Sequence, residues 1–348
     1  MSVIRLPESL QTLGAELLDQ LLHAEAGEPT PVAGAIVEKV IAGRPYLYFQ
    51  RSFGPFREQR YLGPADEGLR ARAERWQEQR ELAAPDREHR ARLVAMLAAG
   101  GAVTPDGASG RVLDYLADAG VFRYGGVVVG THAFQVMGNV LGVKWEAANL
   151  RTEDIDIAWD RDLRVVVPVE PTDALAALRR ADPGFLPVPE LDHRLPSTSF
   201  RVRGRDLRVD FLTPARPSTA TAPVPIPRLG VAATPLPFLD YLVAEAIPAV
   251  VLRGSGVLVR VPEPARFAVH KLWTAGERSV AFQAKAAKDL RQAAQLFEVL
   301  VEDRPGALLL AGDALARQQR RVRQVQRGLE RIAEPLRSRI RELLGLPA

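Results

Sequence analysis

The sequence predicts an α+β protein in three parts: an N-terminal helix and β-hairpin module (residues 1–105), a sheet-containing core (106–263) and a C-terminal helical domain (264–348). Three observations predict this division. Apolar residues recur at helical spacing near the start, β-branched strand-like runs fill the middle, and the chain beyond Pro264 has helical periodicity. A length of 348 residues suits two or three domains of the usual size of about 100–200 residues.

The N-terminal module is predicted from its periodicity. Leucines at helical spacing indicate an amphipathic helix from Glu8 to about Ala24, and a second short helix is predicted from Val32 to Ile41. Residues 66–99 carry a long, charged helical pattern that is broken near Pro85. Glycine and proline in residues 100–107 indicate a linker, which places the first domain boundary there.

A β-hairpin is predicted between the short helix and the charged helices. Its strands are residues 44–51 and 57–62, and residues 52–56 form the turn. Aromatic side chains interleaved with arginine can stack on unpaired bases while the arginines contact phosphate. The alternative is that these aromatic residues pack in the core and bind nothing. The candidate nucleic-acid residues are Arg44, Tyr46, Tyr48, Arg51, Arg57 and Arg60.

The middle of the chain is predicted to combine strands and helices. A helix over residues 109–119 precedes an apolar run, residues 125–130, that ends in glycine and leads into a helix from Thr131 to Leu141. Strands are predicted at 155–159 and 163–168, followed by a helix over 172–180 capped by Thr172. Residues 199–203 and 207–212 form a predicted hairpin, and its core face carries Phe200, Val202, Val209 and Phe211. A proline-rich loop and a last hairpin over 249–261 complete the core.

Composition restricts the chemistry of the chain. There is no cysteine, and the five histidines include no His-x-x-x-His pair, so disulfides, thiol nucleophiles and cysteine metal sites are excluded. Any metal must then be held by carboxylates. No apolar run approaches the roughly 20 residues that cross a bilayer, and the first residues lack the layout of a signal peptide. We therefore expect a cytoplasmic protein with no membrane partner.

Three aspartates on predicted strands form an acidic constellation. Asp154 and Asp156 lie two residues apart, so they project from one face of a strand about 7 Å apart. Asp210 lies on another apolar strand and adds a third carboxylate if the two strands pair. Unpaired carboxylates this close repel each other, whereas a divalent cation removes the repulsion. Oxygen ligands favour Mg²⁺ or Mn²⁺. The alternative reading of Asp-x-Asp is a solvated strand face.

A glycine turn precedes these acids. Gly130 and Thr131 lie where an apolar strand passes into a helix. Backbone N–H groups at the N-terminus of a helix bind phosphate, and glycine allows close approach, so the turn is a candidate nucleotide-phosphate site. Taken alone, it is equally typical of an ordinary strand-to-helix connection.

With Gly130-Thr131, Asp154-x-Asp156 and Asp210 together, residues 110–265 resemble the nucleotidyltransferase superfamily with the DNA polymerase β type fold. The surrounding sequence is most similar to the bacterial branch of AbiEii and MenT toxins. This resemblance implies a mixed-sheet nucleotidyltransferase core that moves an NMP from an NTP to an acceptor hydroxyl. By the same resemblance, Asp154 and Asp156 hold the metal ions. Asp210, also a candidate metal ligand, helps to deprotonate the acceptor, directly or through its metal. Two departures are the threonine at position 131 and a gap of 24 positions between Gly130 and Asp154.

Lysines are rare, and three of the five lie between residues 271 and 288. The resemblance implies that Lys271 contacts the triphosphate, and Arg278 and Lys285 are further candidates. The alternative for Lys285 is an exposed helical ion pair with Asp289, at spacing i,i+4.

The preferred acceptor is RNA, in particular the 3′ end of tRNA. Residues 317–341 contain nine arginines but only two glutamates. This excess of positive charge, together with the arginines of the hairpin, is typical of a polyanion-binding surface. The toxin resemblance adds a possible antitoxin partner. The alternatives are NMP transfer to a protein side chain or a small molecule, and a non-enzymatic nucleic-acid-binding protein on a transferase scaffold.

Overall fold

The computed structural model describes residues 3–26, 34–53, 56–146, 150, 152–160, 172–190, 192, 194–216, 222–277 and 283–347. The N-terminal part contains β1 (Ile4–Arg5), α1 (Glu8–Ala26), β2 (Ala35–Ile41), β3 (Arg44–Phe53), β4 (Phe56–Pro64), α2 (Glu67–Leu82) and α3 (Ala84–Ala99).

The middle part alternates strands and helices, as predicted. It contains α4 (Gly107–Asp118), β5 (Gly126–Val129), α5 (Gly130–Leu141), β6 (Val143–Lys144), β7 (Asp154–Trp159), α6 (Ala174–Ala181), β8 (Phe185–Pro187), β9 (Ser199–Val202), β10 (Arg208–Pro214), β11 (Val224–Ile226), β12 (Val231–Leu236), α7 (Leu239–Val243), β13 (Ala246–Val251) and β14 (Val257–Pro262).

The C-terminal part is helical, as predicted. Its helices are α8 (Pro264–Glu277), α9 (Gln283–Asp303), α10 (Pro305–Ala316), α11 (Gln319–Leu329) and α12 (Leu336–Leu343). No helix in the described part of the chain is both long enough and apolar enough to cross a membrane.

The predicted helix over residues 32–41 is wrong where the structure describes it. Residues 35–41 form β2, which pairs antiparallel with β3, so the predicted hairpin is part of a three-stranded β2-β3-β4 sheet. The physical reason is local: Ile36, Val37, Val40 and Ile41 are β-branched, which favours strands over helices. The Ala42–Gly43 turn then returns the chain directly into β3.

A mixed sheet forms the centre of the molecule, in the order β11-β12-β10-β7-β5, with β9 also pairing with β10 and β8 with β9. Strand β10 is parallel to β7 and β12, whereas β5 is antiparallel to β7. The predicted hairpin is confirmed as β9 and β10, and its predicted core face is buried. The parallel pairing brings the beginnings of β7 and β10 side by side.

Two further predictions in the core are corrected. Asp173, not Thr172, caps α6, because its carboxylate accepts from the Ala176 N–H at 3.0 Å. The Thr172 hydroxyl instead donates to the Ala119 carbonyl. The predicted proline-rich loop, whose prolines run from residue 214 to residue 227, contains strand β11, and Pro225 is tolerated because β11 is an edge strand. The predicted strand at residues 163–168 lies outside the described residues.

Helices α8 and α11 pack against each other at backbone distance. A Cβ added at Gly328 in α11 would lie 2.1 Å from the carbonyl oxygen of Leu272 in α8, so only glycine permits this contact. Leu272 is fully buried in the main hydrophobic cluster, which extends from α4 to the residues after α12. The core of the sheet and the C-terminal helices therefore share one interior.

Candidate active site

The three predicted carboxylates lie on neighbouring strands. In the parallel pairing of β7 with β10, Asp210 is the register partner of Asp156, and Arg208 is that of Asp154. Alternate residues of a strand share a face, so Asp154, Asp156 and Asp210 project from one face of the sheet. The predicted pairing of their strands is thereby confirmed. The other face of the two strands is fixed in the core by Ile155, Ile157, Val209 and Phe211, all fully buried.

The environment of Asp156 strongly disfavours its negative charge. Burial raises the pKa of the Asp156 carboxyl to about 6, and the neighbouring charges of Asp210 and Asp154 act in the same direction. The positive charges of Lys271 and Arg208 oppose this rise only in part. The site therefore concentrates negative charge in excess of the local positive charge.

The glycine turn lies directly against the Asp156 carboxylate. Gly130 begins α5 with φ +66°, and Val129 before it is the register partner of Asp156. A Cβ added at Gly130 would lie 2.3 Å from Asp156 Oδ2. No side chain caps the start of α5. The backbone N–H groups of Gly130 and Thr131 therefore lie beside the aspartates and are not capped by a side chain. The Thr131 side chain is itself buried.

Arg208 is a member of this site that the sequence interpretation missed. Its Nε donates to Asp210 Oδ1 and to Ser199 Oγ, both at 2.8 Å, and half of the Arg208 side chain is exposed. A signal was present, because residues 208 and 210 alternate on one strand and must share a face. An exposed ion pair is worth about 0–1 kcal/mol, so the energy of this pair is small, and its main effect is to fix the orientation of Asp210.

The three aspartates can be compared with the ligands that the predicted divalent cation requires. Within the described residues, no three or more His, Asp or Glu side chains already stand in a metal-binding arrangement. The chemistry of the three aspartates nevertheless fits a hard divalent cation. They supply oxygen ligands, and burial together with their mutual repulsion raises the pKa of Asp156. The fit rests on this excess of negative charge.

Lys271 of α8 lies at the edge of the carboxylates. Its side chain is only 12% exposed, and Nζ donates to Asp289 Oδ1 at 2.7 Å. Its charge lowers the pKa of Asp156, which places it close to the acids. Asp289 is buried, so the alternative interpretation of Lys285, an exposed ion pair with Asp289, is wrong about where Asp289 lies.

Of the other predicted nucleotide-binding residues, Lys285 is on α9 and Arg278 lies outside the described residues. Lys285 is exposed at the start of α9. Lys288, one turn later, is half-buried. Burial and the charge of Lys271 lower the pKa of Lys288, whereas the charge of Asp154 opposes this change. Lysines from α8 and α9 thus converge on the acidic face.

The predicted nucleic-acid residues of the N-terminal sheet divide into two groups. Arg44, Arg57 and Arg60 are exposed, and Tyr46 and Tyr48 are half-exposed. Both tyrosines pack against the exposed ring of Tyr61, with ring centroids 5.9 Å and 5.5 Å away. Tyr48 pairs with Tyr61 across the two strands, and Arg44, Tyr46 and Arg57 share their face. Arg60 pairs with Phe49 and lies over the Phe49 ring, on the opposite face.

Arg51 is a correction to that prediction. Its side chain is 8% exposed, Nη2 lies 3.1 Å from Asp114, and Nη1 donates to Asp118. Both carboxylates belong to α4, so Arg51 joins the N-terminal sheet to the core. It is not available to nucleic-acid phosphates.

Comparison with known proteins gives one family match. Residues 107–316 match the model of a family described as nucleotidyltransferase. The match covers more than half of the chain and includes Gly130, the three aspartates and Lys271. No curated protein and no solved structure matches the chain. With its acids and glycine turn on a mixed sheet, the chain belongs to the nucleotidyltransferase family and is an NTP-dependent enzyme.

Proposed function

We propose that the enzyme transfers an NMP from an NTP to a hydroxyl of RNA, with the 3′ end of tRNA as the preferred acceptor, and that the reaction depends on Mg²⁺ or Mn²⁺. The observation that carries this proposal is the alignment of Asp210 with Asp156, with Asp154 two residues earlier, beside the backbone of Gly130. Removing nucleotide phosphates from water and placing them beside three carboxylates requires positive charge.

Asp154 and Asp156 are the residues that would hold the divalent cation, with Asp210 beside them. A bound ion supplies the positive charge that neutralises the triphosphate and the departing pyrophosphate. The N–H groups at the start of α5 and the ammonium of Lys271 are placed to bind phosphate oxygens. Asp289 holds Lys271 by its ion pair and so positions that ammonium.

The chemical step is an in-line displacement at phosphorus. The acceptor hydroxyl oxygen forms a bond to the α-phosphorus of the NTP, and the bond from that phosphorus to the bridging oxygen of the β-phosphate breaks. Pyrophosphate leaves with the electron pair. Asp210 accepts the proton of the hydroxyl, and its place on β10 beside Asp156 puts this base at the phosphate site. Arg208 orients the Asp210 carboxylate through the Nε hydrogen bond.

Incubation with α-³²P-labelled NTPs tests the function. With Mg²⁺ or Mn²⁺ and total bacterial RNA and protein, we expect label in RNA of tRNA size, and its removal by 3′ exonuclease. The Asp210→Asn protein is expected to leave all acceptors unlabelled, because it lacks the proton acceptor. Label in protein or in a small molecule would instead replace RNA as the acceptor. An absence of label with every NTP and both metals would contradict the transfer reaction itself.

The RNA acceptor is supported by the exposed face of the N-terminal sheet. Replacing Arg44 and Arg57 together by glutamine is expected to weaken RNA binding and to lower the slope of log affinity against log salt concentration. Each phosphate that is no longer neutralised by an arginine reduces that slope by about 0.7–0.9. Fluorescence anisotropy of a labelled RNA at several salt concentrations measures both quantities.

A matched control is available on α2. Arg72 and Arg75 belong to the same module and are exposed, but lie outside the strand face. Their double glutamine variant changes net charge equally and should retain more of the slope. Equal slopes in the two variants would show that RNA binding does not use the strand face.

A further inference from the structure

A cavity of about 380 Å³ lies where the N-terminal module meets the core. Its walls come from the end of α1, from α3, from α4 with the turn that follows it, and from residues 255–258 at the start of β14. The turn after α4 precedes β5, whereas Gly130 follows it, so the cavity and the carboxylates lie at opposite ends of that strand. The volume is in the range of about 300–1,000 Å³ that holds small ligands.

Arg90 is the unusual feature of this cavity. Its side chain is only 6% exposed, and the Nε atom is buried without a hydrogen-bond partner. Among the residues that the structure describes, none forms a hydrogen bond or an ion pair with the Arg90 guanidinium. Burial disfavours the charge of Arg90, whereas Asp86, four residues earlier on α3, attracts that charge without a hydrogen bond or an ion pair. The buried Nε therefore lacks a direct acceptor, which an anion in the cavity would supply.

The carboxylates around the cavity have other partners. Asp114 and Asp118 bind Arg51, and Glu25 lies 3.6 Å from Arg123 Nε. The cavity wall therefore carries four arginines but only three acids, and the acids are paired with arginines other than Arg90.

Arg87 lies one turn before Arg90 and reinforces this excess. Its Nη2 donates to the Arg80 carbonyl at 2.8 Å, and it also lines the cavity. Burial lowers the pKa of Arg87, and the positive charges of Arg80 and Arg90 lower it further. Two guanidinium groups that repel each other across one wall favour an anion with more than one charge.

We propose that this cavity is a phosphate-binding site in which Arg90 makes the principal contact and Arg87 lies beside it. The planar guanidinium matches two oxygens of a phosphate, and the positive charges of both arginines attract a phosphate dianion. The phosphate is either free, as inorganic phosphate or a phosphorylated small molecule, or part of an RNA strand. The site is separate from the carboxylates that carry nucleotide transfer, so it does not depend on that proposal.

Thermal melting of the full chain at constant ionic strength tests the site. In buffer without metal, replacing chloride by inorganic phosphate is expected to raise the Tm of the natural protein. Arg90→Met keeps the aliphatic stem but removes the charge, and should abolish the rise or require at least about tenfold more phosphate, as removal of a charged hydrogen bond implies. Arg92→Met is the matched control, because Arg92 is exposed on the same helix and does not line the cavity.

A second readout distinguishes a binding site from a structural arginine. Without phosphate, Arg90→Met is expected to melt at or above the Tm of the natural protein, because it removes an unpaired buried charge. An arginine needed only for packing would give the opposite result. If Arg90→Met does not fold, Arg87→Met provides the same phosphate comparison.

Binding of a short RNA identifies the source of the phosphate. A phosphate-dependent rise in Tm that is absent in Arg90→Met indicates a free phosphate ligand. If inorganic phosphate has no effect but Arg90→Met binds the RNA at least about tenfold more weakly than Arg92→Met, the phosphate belongs to RNA. Identical responses of Arg90→Met and Arg92→Met to both ligands would overturn the proposal.

Discussion

Replacing Asp156 by asparagine is expected to reduce nucleotide transfer by at least about 10²–10³-fold, the reduction typical when one electrostatic contact to the reacting group is removed. Asp156 is the most perturbed of the three acids, with Asp210 aligned beside it and Gly130 against its carboxylate. The amide has nearly the same size but no negative charge. Labelled-NTP transfer measures the reduction, and Asp313→Asn, an exposed position on α10, is the control.

The same variant should be more stable than the natural protein at neutral pH. The pKa of Asp156 is raised from 3.8 to about 6 in the folded state, so the folded protein binds more protons than the unfolded chain in this range. The stability contributed by this group is therefore complete below about pH 4 and is lost as the pH rises through 6. At pH 7.5 the ionised carboxylate costs no more than about 3 kcal/mol, at 1.36 kcal/mol per pKa unit.

Melting curves between pH 4 and pH 8 test this stability difference. The Tm of Asp156→Asn should exceed that of the natural protein at pH 7.5, and the difference should shrink as the pH falls. Mg²⁺ or Mn²⁺ should raise the Tm of the natural protein more than that of the variant. Full transfer activity in Asp156→Asn would remove the aspartate from the active site, whatever the melting curves show.

Replacing Gly130 by alanine is expected to have the second large effect. The new Cβ would stand 2.3 Å from Asp156 Oδ2 on a backbone with φ +66°, so both the turn and the carboxylate must move. A non-glycine residue in this conformation costs about 1–2 kcal/mol before the clash is counted. A displacement of about 1 Å at a reacting centre can reduce the rate about 10²-fold. We expect that reduction in activity together with a lower Tm.

Gly204→Ala separates strain from the clash. Gly204 lies in the turn between β9 and β10 with φ +75°, and a Cβ there has no atom within 4 Å. This control should lower the Tm through backbone strain alone and keep its activity. If Gly130→Ala behaved like Gly204→Ala in both measurements, the close approach of Gly130 to Asp156 would have no role in the reaction.

Local patterns in the sequence predicted much of the core. The alternation of Phe200, Val202, Val209 and Phe211 identified the β9–β10 hairpin, because one buried face fixes the register. The acids could be grouped for the same reason: each alternates with fully buried residues on its strand. Their alignment across β7 and β10 was a hypothesis, since strand pairing depends on contacts distant in sequence.

The predictions that were wrong also depend on contacts between residues distant in sequence. The β-branched residues of β2 were assigned to a helix because a short apolar segment fits both periods, and pairing with β3 decides between them. Arg51 was assigned to a nucleic-acid surface because its acidic partners, Asp114 and Asp118, are more than 60 residues away. The lone charge of Arg90 could not be recognised for a similar reason, since burial and missing partners are properties of the fold.

The backbone contact between α8 and α11 extends the packing around Lys271 beyond the region matched by the family. The family match stops at residue 316, yet Gly328 touches the carbonyl of Leu272, the residue after Lys271. A chain shortened to the matched region would lack α11 and expose the surface of α8 against which it packs. Helix α8, which carries Lys271, would then lose one of its packing partners. The smallest functional piece of this enzyme is therefore longer than the stretch by which its family is recognised.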